Sequence, residues 1–151
     1  MHRLSWLLMF LMLAGIPLYS PSATVLPNKS GPKTIYEIAE SVTGTSVEIL
    51  LGIAFAESSY RETIAHPDPL DVGLFGLHEA PEYHAERAKK WGEYDAADPQ
   101  QAAIIAGYLY QENLRLLGDP DLAIAAHLQG PTGVRRHGPA QWYIDRVRGA
   151  P

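Results

Sequence analysis

Proline and glycine punctuate this chain at short intervals, and that punctuation restricts it to short helices. Asp98-Pro99 and Asp119-Pro120 each set a capping carboxylate before a proline suited to the first helical position. The first pair is expected to open a helix that runs to Leu117 and stops at Gly118, with Ala102, Ile105, Ala106 and Leu109 as its inner stripe. The second opens a helix expected to end near His127, before a turn at Gly130-Pro131. Pro81 begins a segment to Trp91 with Gly92 as its stop, and Pro139 begins a last helix through Val147. Lys33 to Val42 carries Ile35, Ile38, Ala39 and Val42 at i, i+3, i+4, i+7 spacing, followed by Gly44. Thr45 with Glu48 three residues later reads as a capping box for a helix from Ser46 to about Ser58. No segment sustains strand alternation, although the loop from His66 to Leu77 has room for one short hairpin. The expected fold is all-α: a compact bundle of five to seven short helices.

At 151 residues the chain suits one domain. It is 46% hydrophobic, too apolar for a disordered tail. Its formal net charge of −5 argues against a general nucleic-acid binder, because no excess of positive charge is present to release counterions from phosphates. The absence of cysteine excludes a disulfide scaffold, a thiolate zinc site and a cysteine nucleophile. Met1-His2-Arg3, the apolar run from Leu4 to Leu18, and the small residues around Ala23 have the three-part layout of a secretory signal. Residues 1–23 are therefore expected to be removed on export to the periplasm or the medium, with 24–32 as a linker and 33–151 as the functional domain. The alternative is an uncleaved anchor, but the apolar run is shorter than the ~20 residues of a stable bilayer span. The exported protein is expected to be a monomer with no stable membrane span.

One carboxylate is out of keeping with its surroundings. The helix from Val47 is apolar nearly all round, and such a helix is buried. Glu57 stands at its C-terminal end with Ala54, Ile53 and Leu50 at i−3, i−4 and i−7. Desolvation and the negative end of the helix dipole both disfavour a charged carboxylate there, which is the setting of a general acid. The residues alone leave open a rim glutamate turned to water or paired with Arg61.

The wording around Glu57 goes further. Ala56-Glu57-Ser58-Ser59-Tyr60 resembles the Glu-Ser signature of lytic transglycosylases, the soluble-lytic-transglycosylase domain with a goose-lysozyme-like fold. Gly73-Leu74-Phe75-Gly76-Leu77 resembles the family's Gly-Leu-Met/Phe-Gln-Leu/Ile motif, and Asp98-Pro99-Gln100-Gln101-Ala102 its third helical segment. The block from Ala123 to Val134 is similar to its Ala-Tyr-Asn-Ala-Gly-Pro-Gly-Ala-Val, and Trp142-Tyr143-Ile144-Asp145-Arg146-Val147 to its terminal Tyr-Val-x-x-Val. The blocks are collinear. The resemblance implies a peptidoglycan enzyme, needing no cofactor, that cleaves the bond between N-acetylmuramic acid and N-acetylglucosamine. Glu57 would serve as sole acid and base, and a 1,6-anhydro ring would close on the muramic residue. It further implies glycan contacts at Ser58, Gly73, Leu74, Phe75, His78, His127, Gln129 and Tyr143, with Tyr143 approaching the acid from the last helix.

Three positions depart from the family pattern. The motif-two glutamine is Gly76, the tyrosine that commonly bonds the catalytic glutamate is His127, and the asparagine after it is Leu128. A histidine at 127 could take over the contact to Glu57. The departures leave two alternatives: a goose-type-lysozyme-like hydrolase, with Asp68 or Asp71 activating water, and a glycan-binding module without activity. His66, Asp68, Asp71, His78, Glu79 and His84 crowd one stretch, but His78 and His84 stand six apart across Pro81 and lack the spacing of a zinc hydrolase. No metal is expected. Arg135, Arg136, Arg146 and Arg148 read as solvated helix ends.

Overall fold

The computed structural model describes residues 34–151. The export signal and linker expected at 1–32 lie outside the described residues.

Six helices and one minimal hairpin make up the described residues: α1 (Ile35–Thr43), α2 (Val47–Ser58), β1 (Asp71–Val72), β2 (Leu77–His78), α3 (Pro81–Trp91), α4 (Pro99–Leu117), α5 (Pro120–His137) and α6 (Gln141–Arg148). The all-α expectation holds. The hairpin pairs Asp71 with His78 and Val72 with Leu77 in antiparallel register. Local chemistry sets most boundaries. Asp98 accepts from the Gln101 amide and Asp119 from those of Asp121 and Leu122, each ahead of a proline at the first helical position. Gly118 and Gly44 close their helices in left-handed geometry.

Some caps and faces differ from expectation. The capping box falls on Thr34 and Glu37, at the start of α1. α2 is capped by Ser46, whose side chain accepts from the Ile49 amide. Thr45 is instead fully buried; its hydroxyl donates to the Gly107 carbonyl of α4 and accepts from Gln111. On α1 the apolar stripe turns toward Tyr36 and Ala39, and Val42 is exposed. The turn expected at Gly130-Pro131 is present as a break in α5 at Gly130 (φ 67°, ψ 159°), and beyond it Pro131 starts a further helical piece to His137. α6 starts at Gln141, two residues after Pro139.

The core is one cluster: Leu50 and Ile53 of α2, Phe75 and Leu77 of the hairpin, Ala102, Ala103, Ile105 and Ala106 of α4, Ile124 of α5 and Tyr143 of α6 are all buried in it. α4 is the central element and packs on α1 and α5, while α2 packs on α6. The α2–α6 approach is close. A Cβ on Gly52 would lie 2.5 Å from the Val147 carbonyl oxygen and 2.7 Å from its Cγ1. Glycine at 52 therefore lets the two helices meet backbone to side chain, and it is this spacing that delivers α6 to the end of α2.

Candidate active site

Glu57 is the penultimate residue of α2, and the helix is cut off sharply behind it. Ser59 and Tyr60 both adopt positive φ (51° and 64°), and the Ser59 amide closes on the Phe55 carbonyl at 2.9 Å. Side-chain-bearing residues in that region cost roughly 1–2 kcal/mol each, which tight local packing must offset. Tyr60 packs its ring on Phe55, with centroids 5.5 Å apart. Arg61 donates through Nε to the Ser58 carbonyl. The abrupt stop leaves the Glu57 side chain half-buried at the end of a helix whose Ile49, Leu50, Gly52, Ile53, Ala54 and Ser58 are buried.

Both carboxylate oxygens are located by neighbours. The Tyr143 hydroxyl donates to Glu57 Oε1 at 2.5 Å. Tyr143 is 1% exposed. Burial above all, then the Glu57 charge and the hydrogen bond to it, push the phenol well above its ordinary range. Tyr143 therefore stays protonated and acts as a permanent donor. Glu57 Oε2 rests over Gly76, where a Cβ would come within 2.5 Å of it. Gly76 has φ +55°, and its amide closes a turn on the Gly73 carbonyl at 3.2 Å. A side chain at 76 would meet both backbone strain and the carboxylate.

His127 does not take over a bond to Glu57. Its Nε2 lies 2.9 Å from the Phe75 carbonyl oxygen. A carbonyl only accepts, so Nε2 carries the proton. Among the described residues, His127 Nδ1 is the buried side-chain nitrogen or oxygen that has no hydrogen-bond partner. Such an atom costs roughly 1–3 kcal/mol, set against the bond its other nitrogen makes.

A groove of about 700 Å³ runs past Glu57. Gly76, His78, His127 and Gln129 line it with the carboxylate. Ser58, Gly73, Leu74, Phe75 and Tyr143 are all buried behind its wall. Ser58 returns its hydroxyl to the Ala54 carbonyl at 2.8 Å, the ordinary back-bond of a helix serine. Phe75 fills core and meets Tyr36 edge to face. Gln129 reaches the groove, but both ends of its amide are engaged, Nε2 with the Gly138 carbonyl and Oε1 with the Ala140 amide.

The facing wall is built by α3 and α4. Tyr83, Glu86, Arg87, Lys90 and Trp91 of α3 line it at i, i+3, i+4, i+7, i+8 spacing. Leu109, Glu112, Asn113 and Leu116 of α4 line it at i, i+3, i+4, i+7. The signal was present as two helical stripes, but their mixed polar and aromatic composition hid them from a search for apolar faces. Lys90 is paired with Glu86 at 2.8 Å and Glu112 at 2.9 Å. Behind this wall Glu79 accepts from Arg87 at 2.6 Å and from the Tyr94 hydroxyl at 2.8 Å, and Arg87 also donates to the His78 carbonyl. Burial, and then the bond to Glu79, push the Tyr94 phenol up to about 12.

Asp68, Asp71 and His78 stand at the groove with ligand-capable atoms within 4.8 Å of one another, a grouping that helical spacing did not reveal. His78 Nδ1 is 2.8 Å from Asp71 Oδ1, across the hairpin pair.

A half-buried carboxylate gripped by a phenol thus lies beside a groove among these helices. The family model described as the transglycosylase SLT domain matches residues 35–141. The chain belongs to the transglycosylase SLT family. No curated protein matches it. The family is one of lytic transglycosylases, whose substrate is peptidoglycan. The matched span of the SLT domain runs from the start of α1 to the first residue of α6, so Tyr143 lies two residues beyond it. No helix among the described residues is long and apolar enough to cross a membrane.

Proposed function

We propose that this SLT domain is an exported lytic transglycosylase that cleaves the β-1,4 bond between N-acetylmuramic acid and N-acetylglucosamine, with Glu57 as its only acid and base. The observation that carries the reading is the Tyr143 bond to Glu57 Oε1 at the wall of the groove. With Oε1 accepting from a phenol that stays protonated, the carboxyl proton is left to Oε2. Glu57 passes that proton to the bridging O4 as the C1–O4 bond breaks and positive charge develops at C1. The muramic 6-hydroxyl oxygen then attacks C1, and its proton returns to Glu57. A 1,6-anhydro ring is formed, the carboxyl group is regenerated, and no water is consumed. The substrate supplies the nucleophile, so a second carboxylate of the kind that two-carboxylate glycosidases use is not required.

The hydrolase reading keeps one observation in its favour: Asp68 and Asp71 line the same groove as Glu57 and could orient a water. Mass analysis of the products released from purified peptidoglycan separates the two. Anhydro ends are expected, together with a loss of roughly 10²–10⁴-fold in Glu57→Gln, the span of a general acid–base contribution. Reducing ends would establish the hydrolase. Strand binding without turnover, unchanged in Glu57→Gln, would establish a binding module.

A further inference from the structure

We propose that His66 and His127 are positioning residues that clamp the Gly73–Gly76 turn from two sides and so fix the surface on which the Glu57 carboxylate rests. The proposal rests on the function proposed for Glu57. His66 Nε2 is 2.8 Å from the Gly73 carbonyl, and His127 Nε2 is 2.9 Å from the Phe75 carbonyl. Both acceptors are backbone carbonyls, so both rings present a protonated Nε2. The histidines come from different places, His66 from the loop after α2 and His127 from α5, 61 residues later in the chain.

The turn between them has little freedom. Phe75 is fully buried, and the Gly76 amide closes on Gly73. On its opposite edge, Gly76 lies against Glu57 Oε2 with no room for a Cβ. Tyr143 holds Oε1 from α6. The carboxylate is thus seated between a phenol and a glycine, and the glycine holds its place through the Phe75 peptide that His127 grips. His127 lines the groove, yet its remaining nitrogen is buried without a partner. Its one hydrogen bond serves the turn, which is the mark of a residue acting through a neighbour. A displacement of about 1 Å in a reacting group can cost on the order of 100-fold in rate.

Steady-state kinetics on a soluble glycan-strand fragment and amide exchange at Gly76 test the clamp together. In His127→Leu, kcat should fall ten- to a hundred-fold, with KM within two-fold of the parent. Gly76 exchange should rise at least ten-fold while global stability to denaturant stays close to the parent's. His127→Gln retains an N–H donor and should recover most of both losses. His66→Leu should act in the same direction from the other side of the turn, and it carries the test if His127→Leu does not fold. Parental kcat in the folded leucine variants would overturn the proposal, whether or not the turn loosens. A loss confined to KM would overturn it too, because it would make His127 a direct substrate contact. If the parent protein releases no product, the proposed function fails, and unchanged Gly76 exchange in both leucine variants would separately show that no clamp exists.

Discussion

The wall of the groove that carries Glu57 and the wall that faces it are held in different ways. On the Glu57 side, α2 meets α6 across Gly52 with no space for a methyl group, Gly76 meets the carboxylate in the same manner, and Tyr143 is almost wholly buried. Few charges take part. On the opposite side, α3 is tied by Arg87 to Glu79 and by Lys90 to Glu112, with His84 on Glu79 at 2.6 Å and Lys90 also paired with Glu86 within the helix. Packing at van der Waals contact resists displacement steeply in every direction, whereas ion pairs are graded, screened by salt and dependent on pH. Glu57 stands on the packed wall, between Tyr143 and Gly76.

That contrast can be broken from either side. Removing the Arg87 guanidinium should have the largest effect: side chains of Arg87 and Glu79 are only 10% and 15% exposed. Breaking such a pair leaves an uncompensated charge, so Arg87→Met should cost about 3 kcal/mol in denaturant unfolding. A loss below about 1 kcal/mol would mean that this wall does not depend on its charges. On the packed wall, Gly52→Ala should cost roughly 1–3 kcal/mol by overpacking. It should also lower activity beyond what the unfolded fraction explains, because it pushes α6 and Tyr143 away from Glu57. Activity unchanged per folded molecule would show that the carboxylate does not depend on helix spacing.

Alkali probes both walls at once. The phenols of Tyr94 and Tyr143 are raised in the folded protein above the roughly 10 of a free tyrosine. The unfolded chain therefore loses these protons first as pH rises. Their stabilising contribution is complete below about pH 10 and declines through the folded values, which for Tyr94 means toward 12. Tm should fall steadily across that window, and Tyr94→Phe should make the fall shallower. The smallest change is expected from Lys90→Met. Its ammonium is partly exposed, and such pairs contribute about 0–1 kcal/mol. Added salt should reduce even that difference.

What the sequence made legible follows the range of the interactions concerned. The limits of α3 and α4 and the start of α5 depend on prolines, capping aspartates and glycines within a few residues, and all were read correctly. Thr45 has the local spacing of a cap, but its partners, Gly107 and Gln111, lie more than sixty residues away. Val42 was placed on the inner stripe because periodicity cannot tell which of two adjacent faces meets α4. At the candidate site, the apolar setting predicted a half-buried Glu57, and the motif resemblance predicted that Tyr143 would approach it. The destination of His127 could not be read, since a histidine offers two nitrogens and the Phe75 carbonyl is supplied by a turn 52 residues earlier.

The break in α5 falls at the lip of the groove, where Gly130, Pro131 and Thr132 border the cavity. A side chain at Gly130 would find open space, in contrast to Gly52 and Gly76. Residues spliced into that corner would raise one rim of the groove without entering the space between Glu57 and Gly76. The shape of the rim and the seat of this carboxylate are therefore separately adjustable in this architecture.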